Sequence, residues 1–201
     1  TFPGLYYRQK LSELFEKSLE ELGFISENGE PQNEEIITLS DKNTDPQHTA
    51  SPTLPLWNVP FRRNMLFTGR EVILMHLYNI LRGCGTTALT QAISGLGGIG
   101  KTQIAIEYAY RYRAEYQTIL WADASTLDAL RADFVKIAAL LHLHEQHDDD
   151  QDIVIRAVKR WLSSHAQWLL ILDNIDNLEM IVDFLPDQSM GDVLLTTRLQ
   201  A

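Results

Sequence analysis

A chain of 201 residues, 45% hydrophobic and 22% charged, has ordinary globular composition, with room for one core of moderate size and some additional chain. A formal net charge of -10 and a pI near 5.0 exclude a surface built mainly to grip nucleic acid, which needs clustered Lys and Arg, so DNA contact would have to come from outside this segment. The single cysteine, Cys84, forms no internal disulfide, the longest apolar runs such as Trp168 to Leu172 are too short to span a bilayer, and no basic-then-apolar leader opens the chain. The expected compartment is the cytoplasm, without membrane contact. The opening on Thr1 and the stop at Ala201 just after a strand-like run read as a segment of something longer.

Leu11, Leu14, Phe15, Leu19 and Leu22 recur at helical spacing, and Ser18 with Glu21 forms a capping box, predicting two short helices from about Tyr6 to Leu22 closed by Gly23. Residues 25–57 are mostly Asn, Glu, Pro, Gln, Asp, Ser and Thr, with too few apolar groups to offset the entropy of ordering, and read as a flexible linker. Thr68 and Glu71 make a second capping box, predicting a helix with Ile73, Leu77, Ile80 and Leu81 on its apolar face and Gly83 at its end. Thr87 to Ser94 reads as a buried strand that runs into a Gly-rich loop, followed by a helix from Lys101 to about Tyr112. A second strand is predicted over Thr118 to Trp121 and a helix over about Thr126 to Leu141, then a helix from about Asp152 to Leu162. A third strand over Trp168 to Leu172, a short helix from Leu178 to Leu185 stopped by Pro186, and a fourth strand over Asp192 to Thr197 complete the series. Alternating strands and helices predict an α/β fold, a three-layer sandwich whose parallel sheet is covered on both faces.

The loop Gly95-Leu96-Gly97-Gly98-Ile99-Gly100-Lys101-Thr102 lies between a strand and a helix, the order a phosphate cradle requires. A helix N-terminus offers unpaired N–H groups and partial positive charge, and glycines let backbone curl closely around phosphate oxygens. Lys101 places a point charge on the β- and γ-phosphates, and the Thr102 hydroxyl is a ligand for Mg2+. Leu169-Leu170-Ile171-Leu172-Asp173 is an apolar strand ending in a carboxylate, which puts Asp173 at the carboxyl edge of the sheet as the second magnesium-side oxygen donor. The fourth strand ends Thr196-Thr197-Arg198, delivering a guanidinium to the same edge that can pair with a γ-phosphate bidentately. Lys101, Asp173 and Arg198 are therefore the residues expected to act on the terminal phosphate.

Phe67-Thr68-Gly69-Arg70-Glu71, the loop Gly95 to Thr102, Leu172-Asp173 and Thr196-Thr197-Arg198 resemble, in order and spacing, the NB-ARC group of STAND-class P-loop NTPases. The resemblance runs from about residue 58 to 201, leaving the sheet incomplete at its C-terminal end, with a fifth core strand expected beyond Ala201 and the phosphate-loop strand exposed as an edge. It implies that Phe67, Thr68 and Arg70 lie against the adenine, that Asp173 binds magnesium and that Arg198 senses the γ-phosphate. It further implies an ATP/ADP switch with slow hydrolysis and self-association in the ATP state. Asn174 stands where many relatives carry a second acid, and a neutral amide cannot usefully take a proton from water, so hydrolysis is expected to be slow until an acid is restored there. The family's small helical domain and winged helix fall outside the chain. Residues 1–24 are similar to the closing helices of a Cro-like helix-turn-helix domain, implying DNA contact through a module mostly upstream of Thr1 and a role in transcription or signalling.

Two other readings keep the same residues. An AAA-type ATPase would show a steady turnover, and a DNA-tethered scaffold with structural ADP would hold nucleotide that does not exchange. His142, His144 and His147 beside Asp148, Asp149 and Asp150 read as solvated side chains and a helix-dipole run rather than a metal site. The tyrosines from Tyr108 to Tyr116 are not read as a stacking platform for single strands: their helical spacing turns Tyr108 and Tyr112 toward the core.

Overall fold

A computed structural model describes residues 55–83, 90–93, 100–186 and 190–197 of the protein. Its strands are β1 (Leu56–Trp57), β2 (Thr90–Ile93), β3 (Thr118–Asp123), β4 (Ala166–Ile175) and β5 (Met190–Thr197). Its helices are α1 (Glu71–Gly83), α2 (Lys101–Arg111), α3 (Leu127–Leu140), α4 (Gln151–Ser164) and α5 (Leu178–Val182). All described strands pair in parallel in the order β1-β3-β4-β5-β2, which leaves β2 at one end of the sheet among the described residues. The expected helices over 6–22 and the linker as far as residue 54 lie outside the described residues.

The central strands are continuous apolar runs because both faces of the sheet are covered, and the period of two divides them into two cores. Ile119, Trp121, Leu169, Ile171 and Leu194 face a layer formed by α1 and α2, with Leu74, Leu77, Ile104 and Tyr108 fully buried against them. Leu120, Ala122, Trp168, Leu170, Leu172, Val193 and Leu195 face the opposite layer, where Leu130 and Phe134 of α3 meet Val154, Val158 and Leu162 of α4. Each fully buried Leu, Ile or Phe contributes roughly 1.5–3 kcal/mol, so these two layers are the main source of stability. Trp168 sits so close to β5 that a Cβ at position 191 would lie 2.3 Å from its Cδ2, which is why Gly191 stands there.

Several predicted boundaries move. The first intrahelical bond of α1 runs from the Leu74 N–H to the Arg70 carbonyl, so the helix begins after Arg70 and not at a Thr68 cap. Gly69, at φ 81, turns the chain just ahead of it. The inward face of α1 is Leu74, Leu77 and Leu81, one residue rotated from the expected Ile73 and Ile80, which are only partly buried. Strand β1 is absent from the sequence reading: two residues between Pro55 and Pro60 carry no alternation to detect. Strand β4 is longer than the predicted 168–172 because its ends continue through two register irregularities. Trp121, Trp168 and Tyr108 are core as expected, and His142, His144 and His147 are exposed.

Candidate functional site

Parallel pairing brings the carboxyl ends of β3, β4 and β5 to one edge, and α2 opens at that edge. Gly100 is the residue before α2, at φ 85 and ψ 27, while its carbonyl accepts the first helical bond from the Ile104 N–H at 2.9 Å. Little space is at stake there, since the nearest atom to a Cβ would be Gln103 Cβ at 4.0 Å; the left-handed backbone is what calls for glycine. Lys101 is 8% exposed and Thr102 half-buried, in the first turn of the helix.

The Thr102 hydroxyl donates to Asp173, with Oγ1 3.0 Å from Oδ1 and 3.2 Å from Oδ2. Asp173 also accepts a hydrogen bond from the Thr196 hydroxyl of β5, while Thr196 Oγ1 accepts from the Asn174 N–H at 2.8 Å. A bulge between Leu172 and Ile175 makes this possible: Asn174 sits at φ 66, and the extra residue turns its N–H toward β5. Asn and Asp tolerate that backbone better than other side chains, so position 174 has a conformational requirement that spacing alone does not reveal. The Thr197 hydroxyl closes the irregularity by donating to the Ile175 carbonyl at 2.7 Å.

Asp173 is only 8% exposed, and loss of hydration pushes its carboxyl above the ordinary carboxylate range. The Thr196 and Thr102 hydroxyls pull in the opposite direction, and the neighbouring Asp123 carboxylate adds to the rise. A hydroxyl and a buried carboxylate side by side, with the Asp123 carboxylate nearby, suit a hard cation such as Mg2+, which takes a few protein oxygens and fills its octahedron with phosphate and water.

A cavity of about 410 Å³ opens at this edge, with Thr102, Asp173 and Asn174 on one wall beside Asp123 and Asp133. Pro60, Phe61 and Trp121 form another wall, in which the Phe61 ring meets Trp121 edge-on at 5.3 Å. This strap after β1 is firmly fastened. Asn58 pairs with both backbone groups of Trp121, the Tyr110 hydroxyl donates to the Phe61 carbonyl at 2.9 Å, and Arg63 donates bidentately to Glu107 of α2 at 3.0 and 2.8 Å.

Of the residues singled out in the sequence, Gly100, Lys101, Thr102 and Asp173 come together at one sheet edge. Gly95, Gly97, Gly98, Ile99 and Arg198 lie outside the described residues. Phe67 packs partly against the core, Thr68 is exposed and Arg70 half-buried; the upstream residues that border the cavity are Pro60 and Phe61. Asp123 also borders the cavity, and its strand, Ile119-Leu120-Trp121-Ala122-Asp123, repeats the apolar-run-then-acid pattern of β4.

The NB-ARC domain family matches residues 70–201 of the chain. The chain belongs to the NB-ARC family. A nucleotide-binding leucine-rich repeat (NLR)-like protein from Hyaloscypha variabilis (strain UAMH 11265 / GT02V1 / F) is 32% identical over 168 residues, a match covering 71% of this chain and 16% of that relative. The chain thus spans a small part of the relative's length. The crystal structure of Cdc6p from Pyrobaculum aerophilum aligns with a TM-score of 0.44 at 12% identity, covering 70% of this chain and 41% of the other. The protein is an α/β P-loop NTPase with a parallel sheet, and as an NB-ARC domain it is a nucleotide-binding domain. Among the described residues no helix is long and apolar enough to cross a membrane.

Proposed function

We propose that this NB-ARC domain is an ATP/ADP switch that holds its nucleotide with Mg2+ and hydrolyses it slowly. The observation that carries the reading is the contact of Thr102 with the buried Asp173 where α2 begins at the carboxyl edge of the sheet. There Lys101 and the helix N-terminus meet phosphate, while Thr102 and Asp173 hold the cation. Bound Mg2+ would neutralise charge on the phosphates; the chain itself supplies the orientation, through Thr196 on Asp173 and the bulge at Asn174. Arg198 would follow directly on β5 as the γ-phosphate sensor, with Phe67, Thr68 and Arg70 on the adenine side. In this reading nucleotide state governs self-association and the output of the longer protein, in signalling or transcription, with DNA contact, if made, through a helix-turn-helix that includes residues 1–24.

Lys101→Ala tests the site. Removing a charged hydrogen-bonding partner of phosphate weakens binding by roughly 2–4 kcal/mol. The measurement is equilibrium titration with a fluorescent ATP analogue in the presence and absence of Mg2+, and unchanged affinity would remove the assignment.

A further inference from the structure

Asn174 leaves the position after Asp173 without a proton acceptor, and its left-handed backbone at a bulge explains why an Asn stands there. A carboxylate that serves the attacking water would stand elsewhere along the same edge. Strand β3 lies beside β4, and its last residue, Asp123, pairs in register with Asp173. Neighbouring strands lie about 4.8 Å apart, so the two acids stand one strand's width from each other. Both line the cavity that also contains Thr102 and Asn174.

The three other acids nearby are occupied or misplaced. Asp133 accepts the Asp123 N–H at Oδ2, 2.8 Å away, and pairs through Oδ1 with Lys136 Nζ at 2.8 Å. Asp173 is taken by Thr102 and Thr196. Asp176 follows the bulge, is exposed and does not border the cavity. Asp123, by contrast, is exposed at the cavity, and among the described residues one donor reaches its carboxylate, the Ser125 N–H on Oδ1 at 2.9 Å. The same bond, together with the Asp133 contact to its backbone, fixes the loop that carries it.

We propose that Asp123 is the carboxylate that orients the hydrolytic water in this NB-ARC domain and takes its proton, in place of the acid missing at position 174. The inference rests on the nucleotide reading above. Asp123 accepts the proton as the water oxygen bonds to the γ-phosphorus and the bond from that phosphorus to the bridging oxygen breaks. The electron pair stays on the departing ADP, and the proton passes from Asp123 to solvent. Asp123 lines the same cavity one strand away from the metal-side acid, where it would face the water.

The test uses the full-length protein and compares wild type, Asp123→Asn and Lys101→Ala. Single-turnover cleavage of bound ATP should fall by about 10²-fold in Asp123→Asn, the lower end of a general-base contribution. Affinity for Mg·ADP should stay within about twofold of wild type, while affinity for Mg·ADP with aluminium fluoride, which mimics the phosphoryl group in flight, should fall at least about tenfold. The analogue decides the matter even where wild-type cleavage is too slow to time. Wild-type affinity for the analogue in Asp123→Asn, or an equal loss of Mg·ADP, overturns the role of Asp123 alone. Undiminished nucleotide binding in Lys101→Ala overturns the site and the inference with it.

Discussion

Asp173 is held where an apo protein gains little from a carboxylate. Burial pushes its carboxyl above the ordinary value of 3.8, so the folded chain binds that proton more readily than the unfolded chain does. A carboxyl raised in this way contributes stability that is complete below its unfolded value and lost as pH rises through its folded value. Asp173→Asn removes that liability while keeping shape and an acceptor for Thr196 and Thr102. The expected result is a variant with a higher apo melting temperature than wild type near pH 7, an advantage that disappears below about pH 4, and with Mg2+-dependent nucleotide binding abolished. Thermal melts across pH, paired with titrations with and without Mg2+, check both halves; an apo protein destabilised at neutral pH would mean the hydrogen bonds outweigh desolvation. At this scale the sequence was legible in the placement of Lys101, Thr102 and Asp173, which the structure brings together at one sheet edge. It was opaque where the use depends on a neighbouring strand. The apolar-run-then-acid pattern puts Asp123 at a strand end, but its place beside Asp173 comes only from register, and Asn174 has its reason only from a bulge that leaves no mark in spacing.

The helices and long strands declare themselves because a buried face repeats every 3.6 or 2 residues, and α2, α3, α4 and β3 accordingly fall within a residue or two of expectation. The strap from Asn58 to Phe67 has no such period, since it is fastened by side chains reaching α2 and β3 and not by a repeating face. Its strongest fastening is Arg63 on Glu107, which is 3% exposed and also takes Arg111 at 3.2 Å. The Arg63 hydrogen bond, followed by the charges of Arg63 and Arg111, holds the Glu107 carboxyl below its usual range against the cost of burial. A carboxylate lowered in this way contributes stability above its unfolded value, lost as pH falls through its folded value. Arg63→Ala leaves Glu107 paired with Arg111, and with the Arg63 side chain 42% exposed the cost should be about 1 kcal/mol or less. The loss should shrink in acid below about pH 4.5, the ordinary carboxylate value here. Amide exchange should quicken over residues 58–67 while β3 and β4 keep their protection. Quickening spread evenly over the domain would show that the clamp is not what holds the strap.

On the scale of the whole molecule, the α/β class followed from alternation of elements, whereas the strand order depended on which helices cover which face. The parity of buried residues in β3, β4 and β5 divides them between the two layers, and among the described residues β2 lies at the end of the sheet beside β5. The proposed site is then a junction, because Thr102 belongs to α2, Asp123 to β3, Asp173 to β4 and Thr196 to β5. A nucleotide with Mg2+ bound there bridges four elements that otherwise meet through the sheet and its two apolar layers. Any ligand that binds the folded state alone stabilises it by RT ln(1 + [L]/Kd), about 2.7 kcal/mol at a hundredfold excess over Kd. For a domain of this size each kcal/mol moves the midpoint by about 2–4 °C, so saturating Mg·ADP should raise the melting temperature by about 5–10 °C. The rise should grow with the logarithm of nucleotide concentration, without reaching a plateau in the accessible range. Lys101→Ala should shift that curve to higher concentration by the lost affinity, and Asp173→Asn should erase the part that depends on Mg2+. A melting temperature indifferent to Mg·ADP, or a shift retained in full by Lys101→Ala, would place the nucleotide away from this edge.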